Sequence, residues 1–184
     1  MTAVTVPELT TERLLLRAPE LSDAPDVLVF RGDPEVQRFN DEPLQSVAEA
    51  ATFIEFLREE IAADQRRHWA IVHEGAVVGL IGLHGWQHHH RRAELGYDLA
   101  RTHWRRGIGF EAARAVVEYG FSAMALHRIQ AHTIADNHRS VRLLERLGFQ
   151  REGTLREFSL EDDGAYHDSA VYGLLSPAAT ALAD

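Results

Sequence analysis

The sequence predicts an α/β fold with a mixed central sheet, and two observations support this prediction. In the middle of the chain, strand-like apolar runs alternate with helical segments, which is typical of a β-α-β crossover between parallel strands. On both sides of this crossover, pairs of strand-like runs are joined by short turns, and such hairpins are antiparallel. The predicted order is β-α-α-β-β-β-α-β-α-β-β, in a single domain over residues 1–184 with its core at about 11–175.

Capping residues and apolar periodicity predict the helices. Ser22 or Asp23 caps the first helix, and Asp33-Pro34 ends it. Ser46 caps the second, whose apolar residues recur at three-and-four spacing: Ala50, Phe53, Ile54, Leu57 and Ile61. Two later helices are expected over about 105–122 and from Asp136-Asn137 to Gly148, a left-handed C-terminal glycine.

Apolar runs bounded by turn residues predict the strands. Glu74-Gly75 predicts the tight turn of one hairpin, and Asp162-Asp163-Gly164 predicts the turn of another. The strands are expected at 13–17, 69–73, 76–83, 93–100, 128–135, 149–161 and 165–175.

The composition excludes several classes of protein. The chain has no cysteine, which excludes disulfides, a thiolate nucleophile and thiolate metal ligands. A net charge of −9, from 28 acidic and 19 basic residues, disfavours binding to nucleic acid. No apolar run approaches the length of a membrane span, and the first residues lack the basic region of a signal peptide. We therefore expect a cytoplasmic protein that binds neither nucleic acid nor membranes.

The most informative motif is Trp104-Arg105-Arg106-Gly107-Ile108-Gly109-Phe110-Glu111, between a predicted strand and a predicted helix. The first N–H groups of a helix have no intrahelical partners, and the helix dipole adds positive charge there. Gly107 and Gly109 remove side chains that would keep a phosphate away from the backbone. The motif predicts a pyrophosphate site, and the alternative is an ordinary glycine-containing helix start.

Two other phosphate-binding motifs fit this segment poorly. The dinucleotide fingerprint has a third glycine or an alanine where Ala112 stands, but no ribose-binding acid is clear about 20 residues further on. The lysine and hydroxyl residue of the P-loop are absent.

The segment resembles the acetyl-CoA pyrophosphate loop of the Gcn5-related N-acetyltransferases (GNAT). Its Trp-x-Arg-Gly-x-Gly-x-Glu-Ala form resembles the RimJ/RimL-like ribosomal-protein N-terminal acetyltransferase branch. The predicted element order is also that of the family, so the resemblance implies a GNAT-like mixed sheet. It further implies acetyl-CoA as cosubstrate and a set of cofactor-binding residues: Leu99, Trp104, Arg105, Arg106, Gly107, Ile108, Gly109, Phe110, Glu111, Asn137 and Ser140.

A second match to the family begins at Asn137. In the family, an Asn-x-x-Ser segment contacts CoA, and a tyrosine in the same helix protonates the departing thiolate. Leu144 stands at the place of that tyrosine, and the resemblance to the RimL-like branch assigns its role to Ser140. The alternative is a plain helix start, with Asn137 as N-cap and Ser140 bonding the backbone.

Glu94 is the candidate general base. An amine acceptor is mostly protonated at pH 7 and must lose a proton before or during attack. The resemblance implies an acid on this strand that acts directly or through water, and the alternative is a solvated acid at the strand entrance. The RimL-like branch instead has a glutamate on its sixth strand, where Ser159 or Leu160 stands here, with Glu157 and Glu161 nearby but out of register.

The eleven histidines do not predict a metal site. The densest cluster, His88-His89-His90, lies in a polar loop, and neighbouring residues on a strand point to opposite faces. No carboxylate lies at a clear ligand spacing from them.

The sequence is compatible with three functions. The resemblance implies direct acetyl transfer to an amine acceptor, either a protein N-terminus or a small molecule. A non-catalytic acyl-CoA-binding module would bind CoA without transfer, and a dinucleotide-dependent oxidoreductase would bind NAD(P) in its place. The acceptor, the acyl-chain preference and the oligomeric state stay open, and the resemblance is compatible with a homodimer.

Overall fold

The computed structural model describes residues 5–161 and 164–177. Within these ranges eight strands form one sheet, in the order β1-β2-β3-β4-β5-β6-β8-β7. The strands are β1 (Leu9–Thr10), β2 (Leu14–Arg17), β3 (Arg67–His73), β4 (Ala76–Gln87), β5 (Arg92–Leu99), β6 (Arg128–Ile134), β7 (Gln150–Leu160) and β8 (Tyr166–Leu175). The α-helices are α1 (Ala24–Arg31), α2 (Pro34–Gln37), α3 (Val47–Ala62), α4 (Ile108–Ser122) and α5 (His138–Arg146).

The predicted fold class is confirmed, because the sheet is mixed in the way that the sequence indicates. Among the strands of the described ranges, β5 and β6 pair in parallel and the other neighbours pair antiparallel. The parallel pair is connected through α4, as expected for a β-α-β crossover. The short strand β1 and the one-turn helix α2 are additions to the predicted order.

Helices cover both faces of the sheet. Neighbouring residues on a strand point to opposite faces, so Leu80 and Ile81 on β4 belong to two separate apolar clusters. The Ile81 cluster includes Ala112 and Val116 of α4, and the Leu80 cluster includes Ile54 of α3. The central strands are therefore buried on both sides, which holds their ends in fixed positions.

Most predicted boundaries agree with the structure to within a few residues. Ser46 caps α3 as predicted, since its side chain accepts a hydrogen bond from the Glu49 N–H. Gly148 has the expected left-handed backbone, with φ of 90°, two residues beyond the end of α5. Of the last hairpin turn, Asp162 and Asp163 lie outside the described residues.

Two boundaries differ from the prediction for backbone reasons. The helix expected from about residue 105 begins at Ile108, because Arg105 and Gly107 have φ of 60° and 80°, which a right-handed helix excludes. The strand expected to end at residue 83 continues to Gln87. Gly85, with φ of 57°, lies at an irregularity in the β4–β5 pairing that allows the strand to continue.

No helix of the described residues is both long enough and apolar enough to cross a membrane.

A buried carboxylate on β5 fixes the first helices against the sheet. Asp98 is 8% exposed and accepts hydrogen bonds from three side chains. The donors are Arg31 of α1, Gln37 of α2 (3.3 Å) and Asn40 (2.8 Å). Arg31 also pairs at 2.6 Å with Asp41, whose side chain is 72% exposed. Asp98 therefore holds α1, α2 and the loop after α2 in one arrangement.

We expect Asp98→Ala to lower the free energy of unfolding by about 3–5 kcal/mol, because Arg31 would keep its buried position without its buried partner. Asp41→Ala is the matched control. It removes the exposed carboxylate from the same guanidinium and should cost less than about 1 kcal/mol. Urea denaturation of both variants measures the difference, and equal losses would contradict the assignment.

Candidate functional site

A cleft opens where β5 and β6 diverge. The two strands pair only at residues 92–94 with 128–130. Beyond these positions, residues 95–99 and 131–133 lie on opposite walls of a cavity of about 680 Å³. The facing edges of the two strands therefore line the cleft instead of pairing with each other.

Eight of the eleven predicted cofactor-binding residues line this cavity. They come from three separate segments: the end of β5, the glycine turn and the start of α5. They are Leu99, Trp104, Arg105, Gly107, Gly109, Phe110, Asn137 and Ser140.

The glycine turn has the geometry that an anion site requires. Gly107 is the N-cap residue of α4, with φ of 80°, a conformation that glycine adopts without strain. Gly109 lies one residue into the helix, and a Cβ added there would lie 3.3 Å from Leu143. Gly107 and Gly109 line the cavity at the start of α4 without side chains of their own, and the helix dipole favours negative charge at this place.

Four arginines make the same end of the cavity basic: Arg105, Arg139, Arg142 and Arg146. The Arg139 guanidinium lies 3.6 Å from the ring centroid of Trp104, and that of Arg146 lies 4.0 Å from the ring centroid of Phe110. Stacking on an aromatic ring holds a guanidinium in place while its other N–H groups can donate to phosphate oxygens. Arg139 Nη2 also donates to Glu35 Oε1 at 3.5 Å. A chain of net charge −9 therefore has a local site for a polyanion.

The remaining three predicted cofactor-binding residues do not line the cavity. Ile108 is fully buried in the core. The Arg106 carbonyl accepts a hydrogen bond from Arg13 Nη1 at 2.9 Å. The Glu111 carboxylate accepts from Thr11 Oγ1 (2.6 Å) and from the Arg13 backbone N–H (2.9 Å) and Nε (2.7 Å). Arg106 and Glu111 thus fix the glycine turn to the connection between β1 and β2.

These contacts also determine the charge of Glu111. Burial opposes its ionisation, but the hydrogen bonds from Thr11 and Arg13 outweigh that effect and lower the pKa of Glu111 below its usual value. The carboxylate therefore stays ionised and bonded over the neutral pH range. We interpret Glu111 as a residue that positions the turn.

At the start of α5, a tyrosine of β5 meets the predicted serine. The Asn137 side chain accepts a hydrogen bond from the Ser140 N–H at 3.3 Å, as an N-cap does. The Ser140 Oγ lies 2.6 Å from the Tyr97 Oη, and both residues line the cavity. Burial raises the pKa of Tyr97 to about 12, even though the bond to Ser140 lowers it, so the phenol is neutral at pH 7. Leu144 is fully buried and does not line the cavity.

Glu94 lies where β5 and β6 part, and it is not one of the residues that line the cavity. Its carboxylate accepts a hydrogen bond from Gln130 at 3.4 Å. It also lies 3.8 Å from His84 Nε2 and 3.9 Å from His132 Nδ1. His132 lines the cavity and Glu94 does not, so the imidazole of His132 connects the carboxylate to the cleft.

Sequence reasoning missed Tyr97 and His132. Strand alternation indicates which residues share a face with each of them. Tyr97 lies two residues from Leu95 and Leu99, and His132 lies two residues from Gln130. The strand register that brings these residues to the cleft is a tertiary feature that the alternation does not contain.

The histidine loop has local contacts. The His88 ring stacks on Trp86 with centroids 3.9 Å apart, and His89 and His90 meet edge to face. In the part of the chain that the structure describes, no three His, Asp or Glu side chains lie close enough together to hold a metal ion.

Comparison with known proteins decides the family. The family model of the acetyltransferase (GNAT) domain matches residues 13–150, which include the glycine turn, both strands of the cleft and α5. The chain belongs to the GNAT family of acetyltransferases. The predicted resemblance and the predicted enzyme class are thereby confirmed, and the oxidoreductase alternative is set aside.

Individual GNAT proteins are similar to all or part of the chain. The chain is 36% identical over 174 residues to the uncharacterized N-acetyltransferase YoaA of Bacillus subtilis (strain 168), covering 93% of this chain and 98% of YoaA. It is 36% identical over 83 residues to the ribosomal protein uS5-alanine N-acetyltransferase of Escherichia coli (strain K12), covering 45% of this chain and 42% of that enzyme. The crystal structure of spermidine N-acetyltransferase from Vibrio cholerae, in complex with CoA and spermine, superposes with a TM-score of 0.80 at 26% identity, covering 90% and 97% of the two chains.

The cluster around Glu94 gives a prediction about pH. Burial lowers the pKa of His84 below 6.5, and the Glu94 carboxylate raises it part of the way back. Glu94→Gln removes the charge that stabilises the imidazolium, so the pKa of His84 should fall further in this variant. NMR titration of the His84 ring measures the change. Glu118→Gln, at an exposed position of α4, should leave the titration unchanged, and a rise in the pKa in Glu94→Gln would contradict the assignment.

Proposed function

We propose that this GNAT acetyltransferase binds acetyl-CoA in the cleft between β5 and β6 and transfers the acetyl group directly to a primary amine. The observation that supports this most strongly is the cavity itself, which has a basic glycine turn at one end and titratable side chains near its other end. The amine acceptor is either a protein N-terminus or a small amine.

The basic end of the cavity would hold the phosphates of acetyl-CoA. The N–H groups at the start of α4 would donate to the pyrophosphate, and Gly107 and Gly109 leave room for it. The four cavity arginines supply charge-assisted hydrogen bonds, which are shorter and stronger than neutral ones. The pantetheine arm would then run between the diverging strands, where residues 95–99 and 131–133 face each other.

The proposed reaction needs a group that polarises the thioester carbonyl, a group that stabilises the departing thiolate, and a base that takes the amine proton. The amine nitrogen attacks the thioester carbonyl, the C–N bond forms and the C–S bond breaks, with its electron pair remaining on sulfur. A backbone N–H of β5 would polarise the carbonyl, as an oxyanion donor does. Ser140 lies at the cleft wall, where it would meet the departing thiolate.

The amine proton would leave on the side of Glu94. A carboxylate that does not line the cleft can act through a neighbouring group that does, and here that group is His132, whose Nδ1 lies 3.9 Å from Glu94 Oε1. The carboxylate of Glu94 would accept the amine proton, relayed through the His132 imidazole or a water beside it. We therefore propose Glu94 as the base that acts through His132.

The relatives indicate which acceptors to test. By their names, one acetylates an alanine of ribosomal protein uS5 and another acetylates spermidine. We expect calorimetry to detect binding of acetyl-CoA but not of NAD. A turnover screen with product mass analysis, over N-terminal peptides, polyamines and other small amines, should identify the acceptor. Failure of acetyl-CoA to bind would overturn the proposed function.

We expect Gly107→Asp and Gly109→Asp to weaken CoA binding by about 5- to 150-fold, since lost contacts and repulsion of the pyrophosphate cost roughly 1–3 kcal/mol. Gly75→Asp is the matched control for Gly107. Gly75 has the same left-handed backbone, with φ of 84°, and lies in the β3–β4 turn with no atom within 4 Å of an added Cβ. Isothermal titration of CoA measures the affinities, and unchanged affinity in folded variants would exclude the glycine turn as the pyrophosphate site.

We expect Glu94→Gln to lower turnover at neutral pH by roughly 10²–10⁴, the usual range for loss of a general base. The loss should shrink at high pH, where more of the acceptor amine is already deprotonated. CoA affinity should hardly change, because Glu94 does not line the cavity. Steady-state kinetics over a pH series measure the effect, with Glu118→Gln as the control. A near-normal rate at pH 7 would show that the amine proton leaves by another route.

A further inference from the structure

The hydroxyl groups of Tyr97 and Ser140 form a hydrogen-bonded pair at the cleft wall. The two oxygens are 2.6 Å apart, and Tyr97 comes from β5 while Ser140 comes from the first turn of α5. Among the described residues, neither hydroxyl makes another hydrogen bond within the protein, and both residues line the cavity. The bond between the two hydroxyls uses one of their two protons. The other proton is available to a molecule in the cleft.

The chemistry of the two hydroxyls determines which one donates. Each hydroxyl has one proton to donate and can also accept. A phenol is far more acidic than an alcohol, so Tyr97 is the better donor and Ser140 Oγ is the better acceptor. With Tyr97 donating to Ser140, the proton of Ser140 is left to point into the cleft.

Ser140 is also held in place from the backbone side. Its N–H donates to the Asn137 side chain, which fixes the first turn of α5. A hydroxyl that accepts one hydrogen bond becomes a stronger donor of the next, because a chain of hydrogen bonds polarises its members. The arrangement thus presents one oriented, strengthened donor to the cleft.

We propose that Tyr97 positions Ser140 as a hydrogen-bond donor to the sulfur of CoA, and that this bond stabilises the departing thiolate. The inference rests on the proposed binding of acetyl-CoA in the cleft. When the C–S bond breaks, its electron pair stays on sulfur, and the Ser140 O–H donates to that charge without giving up its proton. The thiolate takes a proton from solvent as CoA is released, and the proton of the amine leaves on the Glu94 side.

Donation rather than proton transfer follows from the acidities. An ordinary thiol has a pKa of about 8.5. Burial raises the pKa of Tyr97 to about 12, so a thiolate has no tendency to remove its proton. Serine is a still weaker acid. Tyr97 therefore acts through Ser140 as a positioning residue, and its hydroxyl approaches Ser140 from β5.

The ionisation of bound CoA tests this inference without an amine acceptor. A thiolate absorbs in the ultraviolet, so a pH titration of the CoA complex gives the pKa of the bound thiol. The complex with desulfo-CoA, which lacks the thiol, supplies the baseline. In the wild type we expect this pKa to lie below that of free CoA, because the Ser140 donor favours the thiolate.

Tyr97→Phe and Ser140→Ala should each raise the pKa of the bound thiol by about one unit, equivalent to a tenfold loss of thiolate. The double variant should raise it no further than the larger single effect, because the two hydroxyls act as one unit. Turnover should fall by about tenfold in each variant with little change in the KM for acetyl-CoA. Tyr119→Phe is the matched control, since Tyr119 packs edge to face on Trp69 and does not line the cavity.

Affinity for desulfo-CoA shows whether the cleft is intact in each variant, and Ser140→Ala provides the same readout if Tyr97→Phe does not fold. An unchanged pKa of the bound thiol, together with retained CoA binding, overturns the inference and leaves the proposed function standing. Failure of the wild type to bind CoA overturns the proposed function and this inference with it.

Discussion

The short parallel pairing of β5 with β6 is the constraint on which the site depends. Three residue pairs join the two strands, and beyond them the strands diverge with helices packed on both faces of the sheet. If more residues of β5 and β6 were paired, the cleft would be closed. If none were paired, the positions of the two cleft walls relative to each other would not be fixed. The residues that line the cleft keep their positions because the paired part of β5 and β6 is anchored in the core.

Charge is distributed along the cleft in a way that separates two tasks. The end near α4 has arginines and helix N–H groups, whereas the region where β5 and β6 part has Glu94 with His84 and His132. An anionic group and a protonated amine would thus be attracted to different ends of one cavity. Such separation keeps the binding of one reactant from competing with the binding of the other.

The features that sequence alone predicts are local ones. The Ser46 cap, the left-handed Gly148 and the strand–turn–helix around Gly107 depend on residues near each other in the chain, and the structure contains each of them. The element order also follows from local periodicity, and it is enough to predict the mixed sheet.

The features that sequence does not predict join distant segments. The contact of Tyr97 with Ser140 spans 43 positions, and that of Arg31 with Asp98 spans 67. Such contacts depend on how helices and strands pack, which periodicity does not specify. For the same reason, the motif that contains Glu111 predicts a ligand contact, while the structure pairs this residue with Arg13, 98 positions away.

Hydrogen bonds from Thr11 and Arg13 link the glycine turn and the start of α4 to the β1–β2 edge of the sheet. The β1–β2 connection is an edge element, and edges of a fold open more readily than its core. Glu111 and the Arg106 carbonyl accept hydrogen bonds from residues of that edge. Opening of the edge therefore breaks the bonds that hold the turn in place. By linkage, a ligand that requires the ordered turn must protect the β1–β2 connection against opening, and its amide hydrogens would exchange more slowly in the complex.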